Sequence, residues 1–243
     1  MASFAPLKNY VLRIMDGFID AYGLHGPFLD AGCGQGDVAL HLSKRGWEGS
    51  AIDFSPEAIV YAKEALKHTK VEVDVGDLMN LSGQYQTIVS CDVIEHVRDD
   101  QALLKKFHSL LLPQGWLILS VPTNPACEWR WDDEYYGHYR RYDRAALEKQ
   151  LANNGFYLVK FYDCTFPFFW LMRRLYTLLP AKKPVSSVPE DNTAASSIQK
   201  AWELGFVSRL ISALPIWWLV YALQKPFRNG KCGFEAVILA RAI

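Results

Sequence analysis

Paired cysteines are missing from this chain. Its five cysteines, Cys33, Cys91, Cys127, Cys164 and Cys232, are scattered over 243 residues with no CxxC spacing and an odd total. That argues against a disulfide framework or a zinc finger and suits a reducing compartment. Net charge is missing too: 26 Lys and Arg balance 26 Asp and Glu, so nothing pulls the whole molecule toward nucleic acid, and no DNA partner is expected. A bilayer span needs about 20 apolar residues, whereas the run LISALPIWWLVYAL ends after Leu210 to Leu223 and is interrupted by Pro215. The opening MASFAPLKNYVLRIMDGF holds neither an unbroken apolar core nor a clear cleavage pattern. Export is therefore not expected, and the location read from the sequence is cytoplasmic. No internal repeat is visible.

What is present is a globular composition, 50% hydrophobic and 21% charged, which predicts a packed core rather than disorder. Seven segments read as strands: 28–31, 50–54, 71–75, 87–92, 116–121, 157–162 and 235–240. Helical patterns lie between them. Ser55 followed by Pro56 and Glu57 is a helix start, with Ala58, Ile59, Ala62, Ala65 and Leu66 as its buried stripe. Asp99 and Asp100 open another helix, which Pro113 and Gly115 stop. This alternation predicts an α/β fold with a mostly parallel sheet and helices on both faces.

The first strand runs into FLDAGCGQGDVALHL, where Gly32, Gly34 and Gly36 alternate before a helix that starts near Asp37. Glycine permits unusual backbone angles and lets a ligand approach without meeting a Cβ, and the following helix offers free amides. A dinucleotide loop usually reads GxGxxG; the GxGxG spacing favours a smaller, zwitterionic ligand over a pyrophosphate. Asp53 ends the second strand, where a carboxylate can accept from both ribose hydroxyls. Asp77 follows the third strand and can accept from an adenine amine, with Leu78 and Met79 as apolar packing. Each acid alone also reads as a helix cap or a solvated loop residue.

In order, LDAGCGQG, AIDFSPEAIVYAKEAL, VGDLM, IVSCDVIEHV and LLPQGWLILSVP resemble the successive motifs of the class I S-adenosylmethionine-dependent methyltransferases. The resemblance covers roughly 28–156 and the final strand. It implies a Rossmann-like seven-stranded sheet whose last strand inserts antiparallel beside the sixth, and S-adenosylmethionine as cofactor. It also implies that Asp30, Gly32 and Gly34 surround the cofactor's methionine part and that Asp53, with Phe54 beside it, binds ribose. Asp77 and Leu78 would flank adenine, and Cys91 would offer its backbone carbonyl to the cofactor amino group. The acceptor implied is a small molecule methylated on oxygen or nitrogen, lipid-linked or saccharide-linked acceptors included.

Two stretches offer a proton acceptor. DVIEHV places Asp92, Glu95 and His96 at the end of the fourth strand, where open α/β sheets bind ligands. DDEYYGHYRRYD follows the fifth and holds His138, Arg140, Arg141 and Tyr142. His138 is the preferred base, with His96 and Glu95 as further catalytic candidates. The reading assigns no metal; its alternative is a divalent ion held by Asp92, Glu95, His96 and His138, as in catechol-type or RNA 2′-O-methyltransferases that carry a similar Glu-His pair. A non-catalytic cofactor-binding scaffold is the rival from another class. Arg140 beside the cleft would suit an anionic acceptor, or else Arg140 and Asp143 bridge and cap the next helix.

The domain boundaries follow. Residues 1–164 and 232–243 form the cofactor-binding domain, and 165–231 a helical insertion. The insertion is aromatic and basic: from Thr165 to Lys231 there are nine Lys or Arg against three acids, so the remainder of the chain carries the compensating negative charge. It is expected to act as a lid that shapes an apolar acceptor site, with a dimer surface or peripheral membrane contact as alternatives. Its polar stretch, KKPVSSVPEDNTAASSIQK, is expected to be a loop.

Overall fold

The computed structural model describes residues 6–180 and 216–243. A seven-stranded sheet runs through them in the order β3-β2-β1-β4-β5-β7-β6. The strands are β1 (Phe28–Ala31), β2 (Gly49–Asp53), β3 (Val71–Val75), β4 (Tyr85–Cys91), β5 (Leu111–Pro122), β6 (Phe156–Asp163) and β7 (Glu235–Ala242). Strands β1 to β5 pair in parallel, while β7 lies antiparallel between β5 and β6. This is the reversed final strand that the sequence motifs imply. Because crossover helices cover both faces, the central strands are continuous apolar runs whose neighbours point to opposite sides. Ile118, Val237 and Leu239 face one core; Leu117, Leu119 and Ile238 face the other.

The helices follow local signals. In α3 (Pro56–Leu66), Ser55 Oγ accepts from the Ala58 amide at 3.3 Å, and proline occupies the first turn, where no amide hydrogen is required. Asp99 caps α4 (Asp100–Leu110) at the Ala102 amide, 2.9 Å away. Asp143 caps α7 (Arg144–Asn153) at the amides of Ala145 and Ala146. Two short helices, α5 (Pro125–Glu128) and α6 (Trp131–Tyr136), carry the chain from β5 toward α7. The helix α4 stops before Pro113: Leu111 already pairs with Tyr85, and the residues around Pro113 and Gly115 form an irregularity as β5 begins. The helix therefore ends a turn earlier than the stop expected at Pro113 and Gly115, both of which lie inside β5.

The short helices α5 and α6 and one long helix have no counterpart in the sequence reading. The helix α1 (Pro6–Tyr22) buries Tyr10, Val11, Ile14, Met15, Phe18 and Ile19 against the sheet, a stripe at helical spacing. The helix α2 (Asp37–Lys44) follows the glycine loop.

In the insertion, α8 (Phe168–Tyr176) and α9 (Ile216–Gln224) are described. The polar stretch expected to be a loop lies outside the described residues, as does the start of the apolar run at Leu210. Tyr221 of α9 stacks on Tyr10 of α1 with ring centroids 5.0 Å apart. Trp217 stacks on Phe169 of α8 at 6.5 Å. The Gln224 side chain accepts from the Phe169 amide and donates to the Cys164 carbonyl. The insertion is thereby joined to the N-terminal helix and to the end of β6.

Candidate active site

The chain leaves β1, β2, β3, β4 and β5 at one edge of the sheet, and the residues singled out in the sequence gather there. Gly32 and Gly36 have left-handed backbone angles, φ +81° and +83°. They are bare for different reasons. A Cβ on Gly32 would collide with Val93 Cγ2 in the segment after β4, whereas one on Gly36 would press on Ala62 and Leu66 of α3. Gly36 is thus a helix-packing glycine, and the tight approach at the cleft belongs to Gly32.

Two acids hold this loop from beneath. Asp53 Oδ2 accepts from the Gly34 amide at 2.8 Å, and its Oδ1 accepts from Ser55 at 2.9 Å. Asp30 is buried and accepts from the Ala39 amide of α2 at 2.9 Å; burial pushes its carboxyl up to about 7, although that hydrogen bond works the other way. Asp77 Oδ1 accepts from the Met79 amide, capping the short turn Leu78–Asn80, so the capping alternative holds for its local role. Phe54, Val75 and Met79 remain open to solvent beside these acids, giving apolar surface at the ends of β2 and β3. Cys91 ends β4, and burial pushes its thiol up, which makes it a poor nucleophile.

The two stretches proposed for proton transfer meet in space. The short turn Ile94–His96 is stitched to the loop after α6: the Tyr139 amide donates to the Glu95 carbonyl at 2.9 Å, and His96 Nδ1 lies 3.3 Å from the Gly137 carbonyl. Ligating atoms of Glu95, His96 and His138 consequently lie within 4.8 Å of one another. Glu95 is 1% exposed and both of its carboxylate oxygens are buried without a hydrogen-bond partner. Burial, with Asp92 nearby as a second cause, pushes its carboxyl well up. Burial and the neighbouring His138 press His96 down to about 3, so its imidazole is neutral.

His138 has the most elaborate support. Its Nδ1 lies 2.8 Å from Asp133 Oδ1, which also receives Arg141 Nη2 at 2.7 Å. Asp133 Oδ2 receives Arg173 Nη2 of α8 at 3.0 Å. Burial alone would raise Asp133, but the bonds from His138 and Arg141 outweigh it and hold the carboxyl near about 2. An ionised carboxylate can only accept, so His138 carries its hydrogen on Nδ1. Arg173 also makes a two-pronged pair with Asp132, at 2.7 and 2.8 Å, and reaches Glu128 Oε2 at 3.2 Å. The insertion therefore touches the histidine through one intervening carboxylate.

A second acidic group joins Asp92 to two residues that the sequence does not single out, Ser120 and Glu235. Ser120 Oγ lies 2.8 Å from Asp92 Oδ1 and 3.1 Å from Glu235 Oε1. One hydroxyl hydrogen cannot serve two carboxylates, so the trio is fully bonded when one acid is protonated. Burial and then Asp92 push Glu235 up to about 8. Asp92 is also raised by burial, against the pull of Ser120, even though water reaches it through the cleft. Glu235 begins β7 opposite Pro122 of β5, a juxtaposition that only the inserted antiparallel strand creates.

Arg140 does not face the cleft as an anion receptor. Its guanidinium pairs with Asp100 at 2.7 Å and donates to the Arg98 carbonyl at 2.6 Å, while Tyr142 donates to the same Asp100 carboxylate at 2.9 Å. The bridging alternative is what the fold adopts, with α4 as the partner and not α7.

Seven strands with a reversed β7, a bare glycine turn after β1 and acids at the following strand ends define the Rossmann-like class I methyltransferase architecture. The chain belongs to the methyltransferase-domain family, which it matches over residues 9–160. It is 35% identical over 99 residues to a ubiquinone biosynthesis O-methyltransferase of Xanthomonas euvesicatoria, 38% of this chain and 41% of that one. It is 28% identical over 126 residues to norajmaline N-methyltransferase of Rauvolfia serpentina, 49% of this chain and 43% of the other. The matches thus span about two-fifths of the length of these curated relatives. Among solved structures, magnesium protoporphyrin IX methyltransferase of Synechocystis PCC 6803 with bound SAH superposes with a TM-score of 0.58 at 16% identity, over 98% of this chain and 84% of that one. The [4+2]-cyclase SpnF superposes at 0.59 and 18% identity, over 95% and 80%. These likenesses establish the fold.

Proposed function

We propose that the protein transfers a methyl group from S-adenosylmethionine to oxygen or nitrogen of a small-molecule acceptor. The observation that carries this reading is the convergence of Glu95, His96 and His138 at the same sheet edge as the Gly32 turn and Asp53. Gly32 and Gly34 would lie along the methionine part, Asp53 and Phe54 at the ribose, and Leu78 with Asp77 beside adenine. Asp30, buried beneath the loop, would act by holding it in place. The backbone carbonyl of Cys91 would receive the cofactor amino group. The fit is supported by the bare positions Gly32 and Gly34 in the turn and by the exposed apolar surface of Phe54 and Met79. When bound, the cofactor supplies an electrophilic methyl on a sulfonium that is already a good leaving group. The protein's contribution is alignment and proton removal. Asp133 fixes His138 with its hydrogen on Nδ1, leaving Nε2 as the base for the acceptor proton. His96, kept neutral, and Glu95 would border the acceptor.

The names of the two curated relatives support an O- or N-acceptor, and the aromatic insertion supports apolar acceptors, lipid-linked ones included. The outward Leu171, Met172, Trp218 and Leu223, with Lys225, support peripheral membrane contact as a secondary proposal, which co-sedimentation with anionic vesicles at low salt would test. A second reading is favoured by one observation: the two unpartnered oxygens of Glu95 beside two imidazoles suit a divalent ion in a metal-assisted reaction. No helix among the described residues is long and apolar enough to cross a membrane.

Calorimetric titration with S-adenosylhomocysteine, on the wild type and on Asp53→Ala, tests the cofactor. Micromolar binding that is lost in the variant, with its melting temperature measured alongside because Asp53 also holds Gly34, is the expected result. No heat with the wild type overturns the reading. An acceptor screen over phenols and amines, with chelator and with magnesium, then separates the two mechanisms.

A further inference from the structure

The cofactor-binding edge is rich in acids: Asp30, Asp53, Asp92, Glu95 and Glu235 all belong to it. A cofactor whose amino-acid end carries a carboxylate as well as an amine must bring an anion into that environment, and a cation has to be found for it. We propose that Lys8 of α1 is that cation, a cofactor-carboxylate anchor contributed by the N-terminal helix. The inference rests on the cofactor reading above.

Four observations place Lys8. Its Nζ pairs with Asp37 Oδ2 at 2.6 Å, and Asp37 is the first residue of α2, immediately beyond the glycine turn. Its positive charge acts on Asp30, Cys33, Cys91 and Asp92, in each case favouring the ionised form, so it is felt across the whole turn and the end of β4. The pair with Asp37 is 42% and 35% exposed at its two side chains, and an exposed ion pair of this kind is worth about 0–1 kcal/mol, so exchanging or sharing its partner costs little. Finally, the backbone beneath Lys8 is held: Tyr221 Oη donates to the Pro6 carbonyl at 2.9 Å, and Tyr10 is stacked on Tyr221 and bonded by Arg228. A flexible four-carbon stem on a fixed helix turn is suited to reaching an anion at the turn below. It also gives α9 a task, since the insertion helix secures the stretch of α1 that carries the lysine.

The test compares two ligands that differ only by the carboxylate, S-adenosylmethionine and decarboxylated S-adenosylmethionine, titrated calorimetrically into wild type, Lys8→Ala, Lys8→Arg and Asp37→Asn. The expected result is that Lys8→Ala weakens S-adenosylmethionine by about tenfold, roughly 1.4 kcal/mol, and leaves the decarboxylated ligand within about twofold. Lys8→Arg should retain most of the affinity, and Asp37→Asn, which frees the ammonium, should bind S-adenosylmethionine as tightly as the wild type or more so. Equal weakening of both ligands, or of neither, overturns the proposal while leaving the cofactor reading intact. A wild type that binds neither ligand overturns both.

Discussion

Replacing Asp133 by Asn is the most severe perturbation of the network that holds His138. Asp133 is 1% exposed and accepts from His138, Arg141, Arg173 and the Arg130 amide. The substitution keeps size and shape but removes the anion between two guanidinium groups. Arg141, whose side chain is 2% exposed, is then left with only the carbonyls of Thr123 and Phe234. Removing one partner of a buried ion pair costs about 3–5 kcal/mol; Arg173 keeps Asp132 and Glu128, so the lower end, about 3 kcal/mol, applies here. At about 2–4 °C per kcal/mol for a domain of this size, the melting temperature should fall by roughly 6–12 °C. The sign with pH is also determined. The folded carboxyl lies near about 2, below its ordinary 3.8, so its stabilisation is present above about pH 4 and is lost as pH falls through about 2. The difference between variant and wild type should therefore close toward pH 2. Asp132→Asn, which removes the charge and one of the two acceptors facing Arg173, is the control and should cost about 1–2 kcal/mol. Long-range nitrogen NMR supplies an independent readout, since His138 should lose its preference for the Nδ1 hydrogen in Asp133→Asn only. A melting temperature within about 2 °C of the wild type, or equal to that of Asp132→Asn, would refute the reasoning.

Gly32→Ala should destabilise the fold by about 2 kcal/mol or more, because the residue sits at positive φ and its Cβ would collide with Val93; adding Val93→Ala should recover part of the loss in a urea titration, and full stability of the single variant would contradict the packing described. Glu235→Gln should change how stability depends on pH. The Glu235 carboxyl is raised from 4.5 to about 8, so its contribution is full below about pH 4.5 and declines as pH rises through about 8. Water entering the cleft reduces the effect, and the variant should gain about 1–2 kcal/mol relative to wild type between pH 5 and 9 by chemical denaturation. Parallel curves for the two proteins would mean that the Ser120 bridge does not hold a proton.

Much of the fold was legible because its causes are local. Ser55, Asp99 and Asp143 cap helices as short-range chemistry requires, and apolar runs between them could only be strands covered on both faces. That these residues share one edge was legible for a related reason: in a parallel sheet, successive strand ends lie on the same side whatever the details of packing. Gly32, Asp53 and Asp77 needed only their positions in the strand order. The helix α1 is legible in the same way, since Tyr10, Val11, Ile14, Met15, Phe18 and Ile19 recur at helical spacing.

What the sequence by itself determined, then, is whatever depends on spacing along the chain: the elements, their alternation, the order of motifs and the bare turn. Only the tertiary structure decided which side chains share a proton, a charge or a contact. Ser120 and Glu235 are 115 residues apart and meet because β7 inserts antiparallel against β5. Arg173 reaches Asp133, and Lys8 reaches Asp37, across 40 and 29 residues. Arg140 pairs with Asp100, 40 residues back along the chain. Such pairings follow from packing and desolvation, which are properties of the assembled surfaces and leave no periodic trace in the order of residues.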